Sequence, residues 1–220
     1  MSGLRASMRL YGLVKNLGST DNPRRQAVDI LCTVNRTGGN AIRAFVSRLD
    51  AELMARSAGL EGYRVIPLRT FDPNAFIGAH CGWLILHVCC GFTAPAGQAM
   101  LHEGTLSPMG WYVYLEAGRW TEGHYLELGP QMAGLLQDTY RSHGLRHYND
   151  WLNELDDATP AELAWQADQA WQRAQTVIAH DGRGHRHGLF DPTDNRWRFA
   201  ATDIDIHQPH PEPLKQGALN

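Results

Sequence analysis

Gly78 to Gly91 reads Gly-Ala-His-Cys-Gly-Trp-Leu-Ile-Leu-His-Val-Cys-Cys-Gly, an apolar run bounded by glycines, and it constrains the fold more than any other segment. Residues of this kind go to the interior, so the rest of the chain must cover them. The period of the run does not separate a buried helix from a buried strand, and we read it as a helix. It is far shorter than the roughly 20 apolar residues that span a bilayer, so no membrane span is expected. The 220 residues suffice to bury a core without metals or crosslinks, and no cofactor is expected. Apolar residues at 43% and charged residues at 20% match a soluble globular protein.

Twenty basic against 23 acidic residues leave a net charge of −3, too balanced for whole-surface attraction to nucleic acid, and no nucleic-acid partner is expected. All but two of the basic residues are arginine, which by itself assigns no function. Cys32, Cys81, Cys89 and Cys90 do not form a framework of regularly spaced bridges, so reduced thiols are expected. The N-terminal segment has basic residues but no continuous apolar stretch, which points to a cytoplasmic protein or one exported without a Sec-type signal.

Asn22-Pro23 is a helix-start signal, and Ala27, Ile30, Leu31 and Val34 follow at helical spacing up to Gly38. Asn40 can cap a second helix carrying Ile42, Phe45, Val46, Leu49 and Leu53, ending at Gly59. Tyr63 to Leu68 reads as a short strand, and Thr70, Asp72, Pro73 and Asn74 as a turn. Trp111 to Glu116 and Tyr125 to Leu128 suggest two antiparallel strands. Pro130 opens a helix with Met132, Leu135, Leu136 and Tyr140, and Trp151 to Leu155 continues the helical content. Thr159-Pro160-Ala161-Glu162 is a capping box at the head of a helix over 160–176. Gly188 to Pro192 and Arg196 to Phe199 flank a Thr-Asp-Asn turn and make a hairpin. The expected organisation is a loosely docked N-terminus over 1–20, one α+β domain over 21–206 with a helical N-terminal half and a small antiparallel sheet, and a disordered tail over 207–220.

Cys81 is the best nucleophile candidate. At the first turn of a helix, the macrodipole and the orphan N–H groups would favour its thiolate and help hold an oxyanion. Cys32, Cys89 and Cys90 read as core thiols. His180, His185 and His187 could share a metal with Asp181 or Asp191, although the spacing is not a zinc pattern. Glu116, Glu122 and Glu127 near Trp120 and His124 could line a carbohydrate cleft, and a phosphate-binding loop is absent.

Cys81-Gly82-Trp83-Leu84-Ile85-Leu86-His87, followed much later by Phe190-Asp191-Pro192 and Trp197-Arg198-Phe199, resembles the YopT-type papain-like cysteine proteases over two short patches. The resemblance implies a papain-like fold and a thiol hydrolase or acyltransferase acting on a protein or peptide amide. Cys81 would be its nucleophile, and Asp191 would orient the base. The family's histidine should fall near Gln175 or Thr176, where this chain has none, and His180 is the nearest candidate base. The second expectation is a non-enzymatic interaction module, such as an inhibitor, immunity factor or adaptor, using its seven tryptophans and arginine-rich surface as anchors for a protein partner.

Overall fold

The computed structural model describes residues 3–19, 26–35, 38–94, 99–102, 104–174, 177–178 and 186–201. In chain order the elements are β1 (Tyr11–Ser19), β2 (Gln26–Ile30), β3 (Cys32–Val34), β4 (Asn40–Phe45), α1 (Arg48–Ser57), β5 (Tyr63–Pro67), α2 (Asn74–Ala79) and β6 (Trp83–Thr93). There follow β7 (Met100–His102), β8 (Thr105–Leu106), β9 (Pro108–Glu116), α3 (Pro130–Ser142), α4 (Tyr148–Asp157), α5 (Pro160–Gln172), β10 (Val177–Ile178), β11 (Arg186–Asp191) and β12 (Arg196–Ala201). Nine strands form one mixed sheet in the order β12-β11-β6-β4-β1-β2, with β3 on β4, β5 on β1 and β9 on β6. A helical N-terminal half with a small sheet is therefore not what this chain forms. The first half holds far more strand than helix, and the large sheet organises the molecule.

The apolar run is β6, not a helix. It pairs parallel with β4, antiparallel with β9 along most of its length, and antiparallel with β11 at its far end. Leu84, Leu86, Val88, Cys89 and Phe92 are all fully buried. A strand covered on both faces has apolar residues at consecutive positions, so the alternation that marks a half-buried strand is missing. β4 misled in the same way. Ala41, Ile42, Ala44 and Phe45 are buried on both faces, and their spacing joins that of Leu49 and Leu53 across the real boundary at Ser47. There Ser47 Oγ accepts the Asp50 N–H at 3.3 Å and starts α1.

Residues 26–34, read as helix, are β2 and β3, while Asn22-Pro23 lies outside the described residues. Tyr125 to Leu128 forms no strand and makes only a bridge between Leu126 and Ala6. The N-terminus contributes β1, with β2 on one side and β5 on the other. Elements with local signals stand where the residues place them. α5 carries the capping box, with Thr159 Oγ1 accepting the Glu162 N–H at 3.2 Å and the Glu162 carboxylate accepting the Thr159 N–H at 2.7 Å. β11 and β12 form the expected hairpin, in which Asn195 takes a left-handed φ of 51°. The tail over 207–220 lies outside the described residues. Among the described residues, no helix is long and apolar enough to cross a membrane.

Candidate functional site

Cys81 sits in the turn between α2 and β6, exposed and at a left-handed φ of 53°. The next residue, Gly82, has a φ of 91° and the chain then enters β6, so no helix begins at Cys81, which follows the C-terminal end of α2 and not a helix N-terminus. His180 lies outside the described residues. Asp191 ends β11, and its carboxylate accepts the Thr193 N–H at 3.0 Å and Arg198 Nε–H at 2.6 Å. The fold thus uses Asp191 to close the hairpin turn. β11 meets β6 at Phe92 and Thr93, the end remote from Cys81. At about 3.3 Å per residue, roughly 25 Å of strand separates Cys81 from the level that Asp191 reaches.

A thiol and an imidazole do meet elsewhere on β6. Cys89 Sγ is 3.4 Å from His87 Nδ1. Burial pushes the Cys89 thiol up to about 12 and, with the charge of Arg43, brings the His87 imidazole down to about 4. Both are neutral at pH 7, so this is not a thiolate–imidazolium pair. Burial also raises the Cys90 thiol, which lies against Tyr140, and pushes Cys32 up to about 11.

His187 is buried. Its Nε2 contacts the Cys90 carbonyl, its ring meets His143 edge-on at 4.8 Å, and burial holds it down to about 3. His180, Asp181 and His185 lie outside the described residues, and among those described no three His, Cys, Asp or Glu side chains are placed to hold a metal. The carbohydrate cleft does not form either. Trp120 is a core residue whose Nε1–H donates to the Gly3 carbonyl at 3.1 Å, and Glu122 and Glu127 are exposed on an irregular segment.

One cavity among the described residues is a groove of about 730 Å³ between the N-terminal segment, the end of β5 and the C-terminal end of α4. Residues 3–10 run along it, with a bend at Ser7 and Met8. Leu4 and Leu10 point inward and are buried, while Arg5, Ser7 and Arg9 are exposed, the period-two pattern of an edge segment. Backbone bonds pin the segment on both sides. The Leu4 N–H donates to the Leu68 carbonyl at 3.1 Å, the Ser7 N–H to Leu126 at 2.9 Å, and the Leu68 N–H to Leu10 at 2.8 Å.

Four arginines line this groove: Arg5, Arg9, Arg48 and Arg69. Arg9 pairs with Asp156, whose carboxylate also accepts the Tyr11 hydroxyl. Burial and that carboxylate hold the Tyr11 phenol well above its ordinary range. Arg48 Nη1 donates to the Ala158 carbonyl at 3.0 Å, at the C-terminal end of α4. Arg5 and Arg69 are exposed and form no ion pair or side-chain hydrogen bond among the described residues. The sequence reading missed this site. Its local signal was the alternation Leu4-Arg5-Ala6-Ser7-Met8-Arg9-Leu10, but Arg48, Arg69 and Asp156 join it only through the fold.

Comparison with protein-family models, with curated proteins and with solved structures finds no match to this chain.

Proposed function

We propose that the protein is a non-enzymatic binding module whose groove takes an acidic segment of a partner protein. The observation that carries this reading is the pair Arg5 and Arg69, two guanidinium groups without acceptors beside two, Arg9 and Arg48, that are already satisfied. A guanidinium presents a planar fork suited to a carboxylate, and the pinned backbone beneath Arg5 removes the cost of ordering the main chain on binding. Arg9 and Arg48 are already held, so two carboxylates of a bound peptide would fall to Arg5 and Arg69. Asp156 and Asp157 also face the groove and oppose any ligand with charge at every position, so a peptide whose carboxylates are spaced by neutral residues fits better than a polyphosphate. The tryptophans contribute less than their number suggests: Trp111, Trp120, Trp151 and Trp197 are buried, and Trp165 at 58% exposure is the main external one.

The test is fluorescence anisotropy with a labelled decapeptide of alternating Glu and Ala, against a single-stranded oligonucleotide of equal charge. Binding of the peptide that Arg5→Glu/Arg69→Glu weakens by about 100-fold, two charge-assisted contacts at roughly 1.5 kcal/mol each, supports the reading. Equal binding by the double variant contradicts it.

A thiol hydrolase on this different fold is a second reading, supported by the exposure of Cys81 and its uncommon backbone conformation. It requires Cys81 to alkylate with a thiolate pKa well below about 8.5. Residue-resolved iodoacetamide labelling across pH measures that, and an ordinary thiol titration at Cys81 would set the reading aside.

A further inference from the structure

Cross-strand partners project to the same side of a sheet. On one face of the large sheet, Trp83, Ile85, His87 and Cys89 of β6 therefore stand beside Glu116, Tyr114, Tyr112 and Gly110 of β9, with Arg43 of β4 opposite His87. This face is concave. The Tyr112 side chain comes within interaction reach of Thr33 on β3, and that of Tyr114 within reach of Asn35 just beyond it. Those contacts cross β6 and β4, three strand spacings or about 14 Å on a flat sheet, so the sheet bends to bring its tyrosines and β3 together. α1 closes one end of the face, where Cys89 and Phe45 are fully buried and Arg43 Nη1 lies 3.7 Å from Met54 Sδ. The other end is more open. Ile85, Tyr112 and Tyr114 are half-buried and Trp83 is 37% exposed.

Arg43 is out of place in such a setting unless something joins it. Its Nε is buried without an acceptor, and among the described residues it has no carboxylate partner, only the weakly accepting Met54 thioether. A partly desolvated cation with an unsatisfied donor is costly, and an anion that supplies both the charge and two acceptor oxygens relieves that cost. Next to it the His87 and Tyr112 rings stack at 4.7 Å, and Tyr114 and Ile85 continue an apolar wall. A few convergent polar groups in an aromatic-lined concavity are the ordinary features of a small-molecule site.

We propose that this concave face binds a small aromatic carboxylic acid, with its carboxylate on the Arg43 guanidinium and its ring against Tyr112, Tyr114 and Ile85. The site is separate from the arginine groove and does not depend on the reading of that groove.

The experiment is thermal unfolding of the full chain at constant ionic strength with benzoate, inorganic phosphate, acetyl-Ala-Phe with a free C-terminus, and its amide as probes. Benzoate at about a hundred times its Kd should raise Tm by about 5–10 °C, and phosphate should raise it much less. Arg43→Met should abolish the benzoate shift, while Arg5→Glu/Arg69→Glu should retain it. In the wild-type protein, benzoate should also protect Arg43 from phenylglyoxal, read by peptide mass spectrometry, a result that needs no folded variant. No benzoate shift, or a shift without protection of Arg43, overturns the proposal. An equal response to phosphate overturns the aromatic assignment. A larger response to acetyl-Ala-Phe than to benzoate would assign the carboxylate to a peptide C-terminus instead of a free acid.

Discussion

The β11–β12 hairpin and the region beneath α1 both hold charge away from water, and they treat it in opposite ways. In the hairpin, Arg198 is 23% exposed at its side chain and bonds to Asp191 and Asp194 at 2.6 Å each, with Asp191 also tied to the turn backbone. Beneath α1, among the described residues, Arg43 meets only the Met54 thioether, and the fully buried Asp50 has no cation bonded to it and accepts the Gly91 N–H at 3.0 Å. Paired buried charge fixes a structure, because removing one partner strands the other. Single buried charge leaves a group available to a ligand or to a proton. The hairpin therefore belongs to the scaffold, and the region beneath α1 can respond to what binds or titrates.

Breaking the paired region should cost the most. Asp191→Ala removes the more buried of the two carboxylate partners of Arg198 and an acceptor of turn N–H groups, and it should destabilise the protein by about 3–5 kcal/mol in urea titration. A loss under about 1 kcal/mol would mean that the hairpin does not depend on this pair.

Asp50 gives the next largest effect, through pH. Burial raises its carboxyl to about 7, above the ordinary value near 4, so the folded state keeps the proton through the range where the unfolded chain has lost it. Its contribution to stability is present below pH 4 and declines as pH rises towards about 7, a change on the order of 4 kcal/mol. His87 and His187, lowered to about 4 and about 3, work the other way and withdraw stability as pH falls below about 6.5. The difference between wild type and Asp50→Asn, taken by urea titration from pH 4 to 8, isolates the Asp50 term. The variant should gain on wild type as pH rises, and a difference independent of pH would refute the assignment.

Arg43→Met should change stability by less than about 1 kcal/mol in either direction, because no partner is stranded, whereas Arg198→Met should lose about 3–5 kcal/mol. Equal losses would erase the distinction between the two regions. The smallest effect is outside both. Cys81→Gly relieves a left-handed backbone at an exposed turn and should stabilise by about 0.5–1 kcal/mol, measured as a rise in the urea midpoint.

The two regions also differed in how far they could be read from sequence. The hairpin and α5 were legible because their signals are local: a Thr-Asp-Asn turn between aromatic-rich segments, and a Thr and Glu that satisfy each other's backbone N–H. β4 and β6 were not, because burial on both faces removes the alternation on which strand recognition rests, and a glycine-bounded apolar run then resembles a core helix. That misreading carried over to the site. Once Cys81 was placed at a helix start its chemistry followed, and Asp191 looked like a catalytic acid when its oxygens in fact close a turn. Both arginine sites are assembled from distant segments, Arg5 with Arg69 in one case and Arg43 with Tyr112 in the other, so no contiguous motif marks either.

The most direct test of the central claim, that the groove holds unengaged guanidinium groups for an acidic protein segment, is residue-resolved phenylglyoxal modification with and without the alternating Glu-Ala decapeptide. The account predicts that Arg5 and Arg69 react fastest, that Arg9 and Arg198 lag because carboxylates hold them, and that the peptide slows Arg5 and Arg69 selectively. Uniform rates across the arginines, or rates at Arg5 and Arg69 that the peptide leaves unchanged, would contradict it.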